Sequence, residues 1–309
     1  DRENRYRMRI DDIEPQYDGS NQITGYKGRI GMQTKGGIDN DRNRMTRLED
    51  QRVQNYSLRG EHLLSTDLDM DWTVSYSKAR EYRPNERYML FRQSNRTFNF
   101  SGTSEFPAFN PVNFDANAVG LNTISENNDL TEEDELGVKL NFRLPLSVVA
   151  GHKGRLRFGG RLRLKNKDRN NSFTEYTPIN EDLIPNLGSI PNVYFDGKNF
   201  QAGAQYVPGL FASRAYLAGL NLNNTSVFTG EEDPSEFLGL NYSAKENIYA
   251  GYLRWDQDIT DQLSLITGLR LEHTKIDYTG NIIENEENLT GTRSSKNSYT
   301  DLLPRDALK

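Results

Sequence analysis

Between Glu135 and Lys167, apolar and polar residues alternate with almost no exception. Leu136, Val138, Leu140, Phe142, Leu144 and Leu146 take the even positions, and Glu135, Gly137, Lys139, Asn141 and Arg143 the odd ones. The rhythm breaks at Gly151-His152-Lys153-Gly154 and resumes with Leu156, Phe158, Gly160, Leu162 and Leu164 against Arg155, Arg157, Gly159, Arg161, Arg163 and Lys165. Successive side chains of a strand point to opposite faces, so this spacing predicts a long hairpin with one apolar wall and one strongly basic wall. Strands of about ten residues with such walls suit a membrane barrel, with lipid outside and water inside.

Two more hairpins share the design. Tyr56, Leu58 and Gly60 oppose Asn55, Ser57, Arg59 and Glu61, a turn is expected at Ser65-Thr66-Asp67, and Leu68, Met70, Trp72, Val74 and Tyr76 return on one face. The last hairpin sets Tyr249, Gly251, Leu253, Trp255 and Ile259 opposite Ala250, Tyr252, Arg254, Asp256 and Asp258. Its turn is Thr260-Asp261-Gln262, after which Leu263, Leu265, Thr267, Leu269 and Leu271 oppose Ser264, Gly268, Arg270, Glu272 and Thr274.

Six strands in three hairpins is the conservative count, and the expected fold class is all-β: a sector of an antiparallel transmembrane β-barrel with long extracellular loops. The turns within hairpins are tight, whereas segments near 81–134 and 170–245 are far longer than ordinary connections. Short turns on one rim and long excursions on the other match periplasmic turns and extracellular loops. Within 1–50, Tyr6 to Ile10 reads as the end of a strand and the rest as another long loop. Segment 278–301, polar and rich in Asn and Glu, reads as a loop, and Leu302 to Lys309 as the start of a strand.

Composition agrees with strands rather than spanning helices. Only 35% of the 309 residues are hydrophobic and 27% are charged, and no apolar run approaches the roughly 18 residues of a spanning helix. Alternation halves the hydropathy of each strand, so a barrel survives this test. The net charge of -6 argues against nucleic acid as a partner despite the arginine columns. The chain begins at Asp1 without a Met or a signal-peptide pattern, and it reads as a piece of something longer, 1–309 being one partial barrel domain.

Candidate chemistry is sparse. The three histidines, His62, His152 and His273, are isolated, and with no cysteine there is neither a zinc-ligand spacing nor a thiol nucleophile. Asp39-Asn40-Asp41 lacks a full calcium-loop spacing, and a solvated turn is the better reading. His273 and Glu272 fall on opposite faces, which removes the one serine-hydrolase arrangement worth considering. The expectation is a protein that is not an enzyme and holds neither cofactor nor metal.

The long loops are aromatic. Phe98, Phe100, Phe106, Phe109, Tyr194, Phe195 and Phe211 must bury their rings against something: either the loops pack on each other as a cap, or these rings touch a ligand. A short helical turn is expected over Pro208 to Leu217, with the proline at its first position. Arg155, Arg157, Arg161, Arg163, Arg254, Arg270 and Glu272 are expected to face the lumen. They are expected to pair there with carboxylates of neighbouring strands or of an internal plug, Glu135, Asp69, Asp71, Asp256 and Glu272 among them, the alternative being a path for anionic cargo. Leu140, Phe142, Leu162, Val74 and Leu269 are expected to face lipid. Trp72, Tyr76, Tyr249, Trp255 and Tyr278 are placed near strand ends, at headgroup level.

The run ENIYAGYLR at 246–254, LSLITGLRLE at 263–272 and SYTDLLP at 298–304, in that order, resembles the barrel of TonB-dependent receptors of the Bacteroidetes type. The segments PGLF at 208–211 and YLAGL at 216–220 resemble the same group. The resemblance covers the last third of the chain well and the rest by architecture. It implies an outer-membrane barrel of about 22 strands closed by a plug, in a Gram-negative cell. It further implies import of a scarce solute (siderophore, vitamin, glycan or peptide) with energy delivered by the TonB complex through that plug. The partners it implies are outer-membrane lipid, the chain's own plug domain, the TonB complex and a small solute. Neither a plug, nor a TonB box, nor a terminal aromatic strand is read within residues 1–309, which are expected to be an interior part of such a barrel. Two rivals use the same walls: a passive or structural outer-membrane barrel, and a secreted β-rich binding module whose apolar wall would be covered by a second sheet.

Overall fold

The computed structural model describes residues 5–102, 107–195 and 209–309. It is an all-β chain built on an antiparallel sheet of 11 strands. In chain order the strands are β1 (Tyr6–Tyr17), β2 (Ile23–Gly36), β3 (Asp50–Leu63), β4 (Asp69–Gly102), β5 (Pro107–Pro111), β6 (Gly120–Pro145) and β7 (Gly154–Pro178). They continue with β8 (Asn192–Phe195), β9 (Gly209–Ala212), β10 (Phe228–Glu232), β11 (Tyr242–Thr260), β12 (Leu263–Glu284) and β13 (Asn288–Leu308), and one helix, α1 (Arg214–Gly219), follows β9. Along the main path the order is β1-β2-β4-β6-β7-β11-β12-β13, with β3 and β5 paired to β4 and β10 to β7; β8 and β9 form a separate ribbon.

All three expected hairpins are present, with their turns at the expected positions. Leu64 donates to the Leu68 carbonyl at 2.9 Å to close β3–β4, and Leu146 donates to Gly154 at 3.0 Å to close β6–β7. At the β11–β12 turn the Gln262 amide donates to the Thr260 hydroxyl at 3.2 Å.

The strands run well beyond those hairpins, which corrects the expected loop boundaries. Residues expected as loop in 81–134 belong to β4 as far as Gly102 and to β6 from Gly120. The first 50 residues hold two whole strands, not the end of one. Segment 278–301 is strand apart from a tight turn, and Leu302 lies inside β13 rather than at its start. At that turn Asn285 and Glu286 have φ of 53° and 68°, the paired left-handed geometry that matches the twist of a hairpin.

The chain divides into two compact units. One comprises 1–49, 83–128 and 172–233, the other 50–82, 129–171 and 234–309. The first unit has a dry core: Ile30, Met32, Met89, Phe91, Phe98, Ile124, Ile184, Leu187, Phe211 and Leu217 are each 1% exposed or less. Apolar side chains of β2 and β4 are covered there by the excursion between β7 and β10. Arg87, 5% exposed, fixes that cover. Its Nε donates to Glu126 at 2.7 Å, and its Nη1 reaches the carbonyls of Leu217, Ala218 and Leu220 at 3.2, 3.4 and 2.8 Å. The guanidinium thus satisfies carbonyls at the end of α1 that have no partner within the helix. At the other end Ser213 caps α1 by accepting from the Tyr216 amide at 3.2 Å, so the helix starts on a serine cap at Arg214 and not on the expected proline, which lies outside the described residues.

In the second unit the strands have two distinct faces. Opposed residues of an antiparallel pair share a face, and the registers pair like with like: Leu58 with Val74, Tyr56 with Tyr76, Leu253 with Leu269 and with Phe158. On the apolar face Val74 is 38% exposed, Leu140 37%, Leu269 46% and Leu271 51%. Among the described residues of the second unit, no facing layer covers them. Gly60 is needed beneath Trp72, because a Cβ there would lie 2.5 Å from the indole. Tyr249 and Tyr278 fall inside β11 and β12, away from the strand ends where they were expected.

Candidate functional site

The charged face of the second unit is a cross-strand grid. Ladder positions place Arg157, Arg254, Gly268 and Arg305 side by side on β7, β11, β12 and β13. The next row reads Gly159, Tyr252, Arg270 and Leu303. The bond from Leu146 to Gly154 sets the β6–β7 register, which carries Arg143 opposite Arg157 and Asn141 opposite Gly159. Close packing at Gly159 agrees, since a Cβ there would meet the Leu140 carbonyl and the Asn141 backbone.

Guanidinium groups on neighbouring strands repel unless anions lie between them. Carboxylates of the same and of adjacent strands supply that charge. Asp256 binds Arg254 at 2.6 Å and Arg157 at 3.1 Å; Asp71 lies 3.5 Å from Arg143; Glu272 binds Arg270 at 2.6 Å. Further along, Glu135 binds Arg163 at 3.0 Å and Glu133 binds Lys165 at 2.8 Å. Neutral groups knit the same face: Asn141 donates to Asp71 at 2.6 Å and accepts from the Tyr252 hydroxyl at 2.9 Å.

Among the residues singled out in the sequence, Arg157, Arg163, Arg254, Arg270 and Glu272 are thus held in ion pairs, while Arg155 and Arg161 stand exposed with no ion-pair partner among the described residues. Arg157, Arg254 and Arg270 also line a concavity of about 440 Å³, together with Lys139, Arg143, Arg305, Asp71, Asn141 and Tyr252. Its floor lacks side chains at Gly268, where a Cβ would sit 2.8 Å from the Leu253 carbonyl. Lys139, Tyr252 and Arg305 were not proposed from the sequence as site residues. Cross-strand register brings them together, and no spacing along one strand signals it.

The loop aromatics fall in three groups. Phe98 and Phe211 are 0% exposed, so as candidate ligand contacts they are corrected: their rings belong to the core of the first unit. Phe195 packs against Tyr6 with ring centroids 5.4 Å apart, and Phe109 packs against Tyr26 at 5.3 Å and Phe100 at 5.4 Å. Phe100 and Tyr194 remain exposed at 43% and 63%. Phe106 lies outside the described residues. On the apolar face, Phe142 stacks on Phe158 at 5.1 Å, and both it and Leu162 are partly exposed. Among the described residues no cluster of acidic or histidine side chains could hold a metal ion.

Residues 220–308, which carry β10 to β13 and the three strands at one side of the concavity, match the model of the Outer membrane protein beta-barrel family. No curated protein and no solved structure matches the chain. The match, the antiparallel strands and their segregated faces place the fold in the class of outer-membrane β-barrels and support an outer-membrane location.

Proposed function

We propose that this protein is a receptor for active uptake of a scarce solute across the outer membrane, energised through TonB. The observation that carries the reading is the second unit's two-faced sheet. Its apolar side is uncovered, as contact with hydrocarbon requires, and its other side is a dense field of partly exposed charges and hydrogen-bonding groups. A wet, charged inner wall suits a plug that must be held firmly yet be released on pulling, because each exposed ion pair contributes only about 0.2–1 kcal/mol. The order of ENIYAGYLR, LSLITGLRLE and SYTDLLP supports the TonB-dependent group within the barrel class. Tyr194, on the excursion between β7 and β10, and Phe100, near the end of β4, are exposed and free to meet a solute. The partners of this reading are outer-membrane lipid, a plug, TonB and the solute, and the protein carries rather than converts its cargo.

The test is genetic. In cells expressing the full chain, solute-limited growth that depends on the gene should be lost when TonB is removed. Growth that depends on the gene and survives removal of TonB would replace this reading with a passive pore.

A further inference from the structure

We propose that the concavity on the charged face binds a small solute through a dianionic group, a phosphate monoester or a dicarboxylate. Six cationic side chains line it: Lys139, Arg143, Arg157, Arg254, Arg270 and Arg305. Four carboxylates reach them, Asp69 and Asp71 at Arg143, Asp256 between Arg157 and Arg254, and Glu272 at Arg270, which leaves an excess of two positive charges. The excess resides on particular residues. Lys139 on β6 and Arg305 on β13 have no ion-pair partner among the described residues, and they lie on different strands of the same concavity.

Arg155 and Arg161 on this face also lack a carboxylate but stand outside the concavity; inside it, two unanswered cations beside four neighbouring arginines form a local trap for negative charge. A volume of about 440 Å³ lies within the range of small-molecule sites, roughly 300–1,000 Å³, and admits a metabolite rather than a folded partner. Guanidinium forks match the oxygens of a phosphate or carboxylate two at a time, and the Tyr252 hydroxyl oxygen, whose proton goes to Asn141, can still accept from a neutral part of the same solute. Gly268 keeps the floor open; a side chain there would meet backbone at 2.8 Å.

The inference deepens the uptake reading by naming a solute class, and it rests on that reading for its role in the cell. Binding itself is measured without TonB, so the two fail separately. Calorimetric titration of the full chain in detergent would use inorganic phosphate, succinate, a hexose phosphate and the free hexose. Both dianion types should bind and the free hexose should not; preference for the hexose phosphate over inorganic phosphate identifies an organic ester as the ligand.

Neutralising both Lys139→Gln and Arg305→Gln should weaken binding at least about tenfold, the loss expected for charge-assisted contacts. Arg155→Gln, on the same face but outside the concavity, should leave it unchanged. Asp256→Asn, which raises the excess charge, should tighten it, and this gain of function cannot arise from misfolding. No dianion binding, as an acidic protein segment filling the concavity would produce, overturns the proposal. Equal weakening by Arg155→Gln and by the double variant also overturns it, since the effect would then belong to the general field of the sheet.

Discussion

Arg157 and Arg254 lie directly opposite each other on β7 and β11 and share one carboxylate, that of Asp256, at 3.1 and 2.6 Å. Two like charges at one cross-strand position are tolerated because a third residue, two places along β11 on the same face, sits between them. Asp256→Asn should therefore destabilise the folded protein by about 1 kcal/mol, the sum of a lost partly exposed ion pair and a restored repulsion. Urea unfolding of the refolded protein in lipid vesicles measures it, and added salt should shrink the difference.

On the apolar face the cost should be larger and of another origin. Leu269→Arg puts a charge on the face that meets hydrocarbon in an outer-membrane barrel, and about 2–4 kcal/mol is expected near the bilayer midplane. Arg161→Leu, on the charged face, should change stability by less than about 0.5 kcal/mol. The same unfolding experiment compares the two.

In the first unit, Arg87→Ala leaves Glu126 buried without its charged partner, with Asn85 alone still donating to it, and strips three backbone carbonyls of their donor. A loss of about 3–5 kcal/mol is expected for breaking a buried pair from one side. The excursion over β2 and β4 should then open to protease near α1 while the β11–β13 hairpins stay protected. Cleavage spread evenly along the chain would contradict the clamp assigned to Arg87.

Gln257, 1% exposed, accepts from the Val148 amide at 3.0 Å and donates to the Asp258 carbonyl at 2.8 Å, tying the β6–β7 turn to β11. Gln257→Leu should leave the Val148 amide and the Asp258 carbonyl without these bonds and cost about 1–3 kcal/mol. Amide exchange should rise at 146–153 first. Unchanged exchange there would show that the turn holds without it.

The three hairpins were legible because each alternates without a break against two different environments. Where alternation is interrupted, the strands run past the ends that the sequence marks. In β1 the register shifts between Asp11 and Glu14, with Asp12 at φ 53°, and the two-residue period is reset in the middle of the strand. In β4 Asn85 and Asn95 have φ of 51° and 54°, and pairing with β2 slips between Gly28 and Ile30. The first half of β13 failed for another reason. Thr290, Thr292, Ser294, Lys296 and Ser298 alternate with Gly291, Arg293, Ser295, Asn297 and Tyr299, polar on both faces, so backbone pairing with β12 holds the strand and no hydropathy contrast marks it. The charges of the candidate site could be read along single strands. The row from Arg157 through Arg254 to Arg305 could not, because it exists only once three registers are fixed.

In an outer-membrane barrel, hydrocarbon rather than protein covers the apolar face. Because the chain contains no cysteine, single cysteines can be placed at Val74, Leu140 and Leu269 and at Arg155 and Arg161, each labelled with an environment-sensitive fluorophore. In native outer membranes, a quencher carried on lipid tails should quench the first three strongly and the two arginine positions weakly. Equal quenching at all five, or quenching confined to the arginine positions, would contradict hydrocarbon cover of that face.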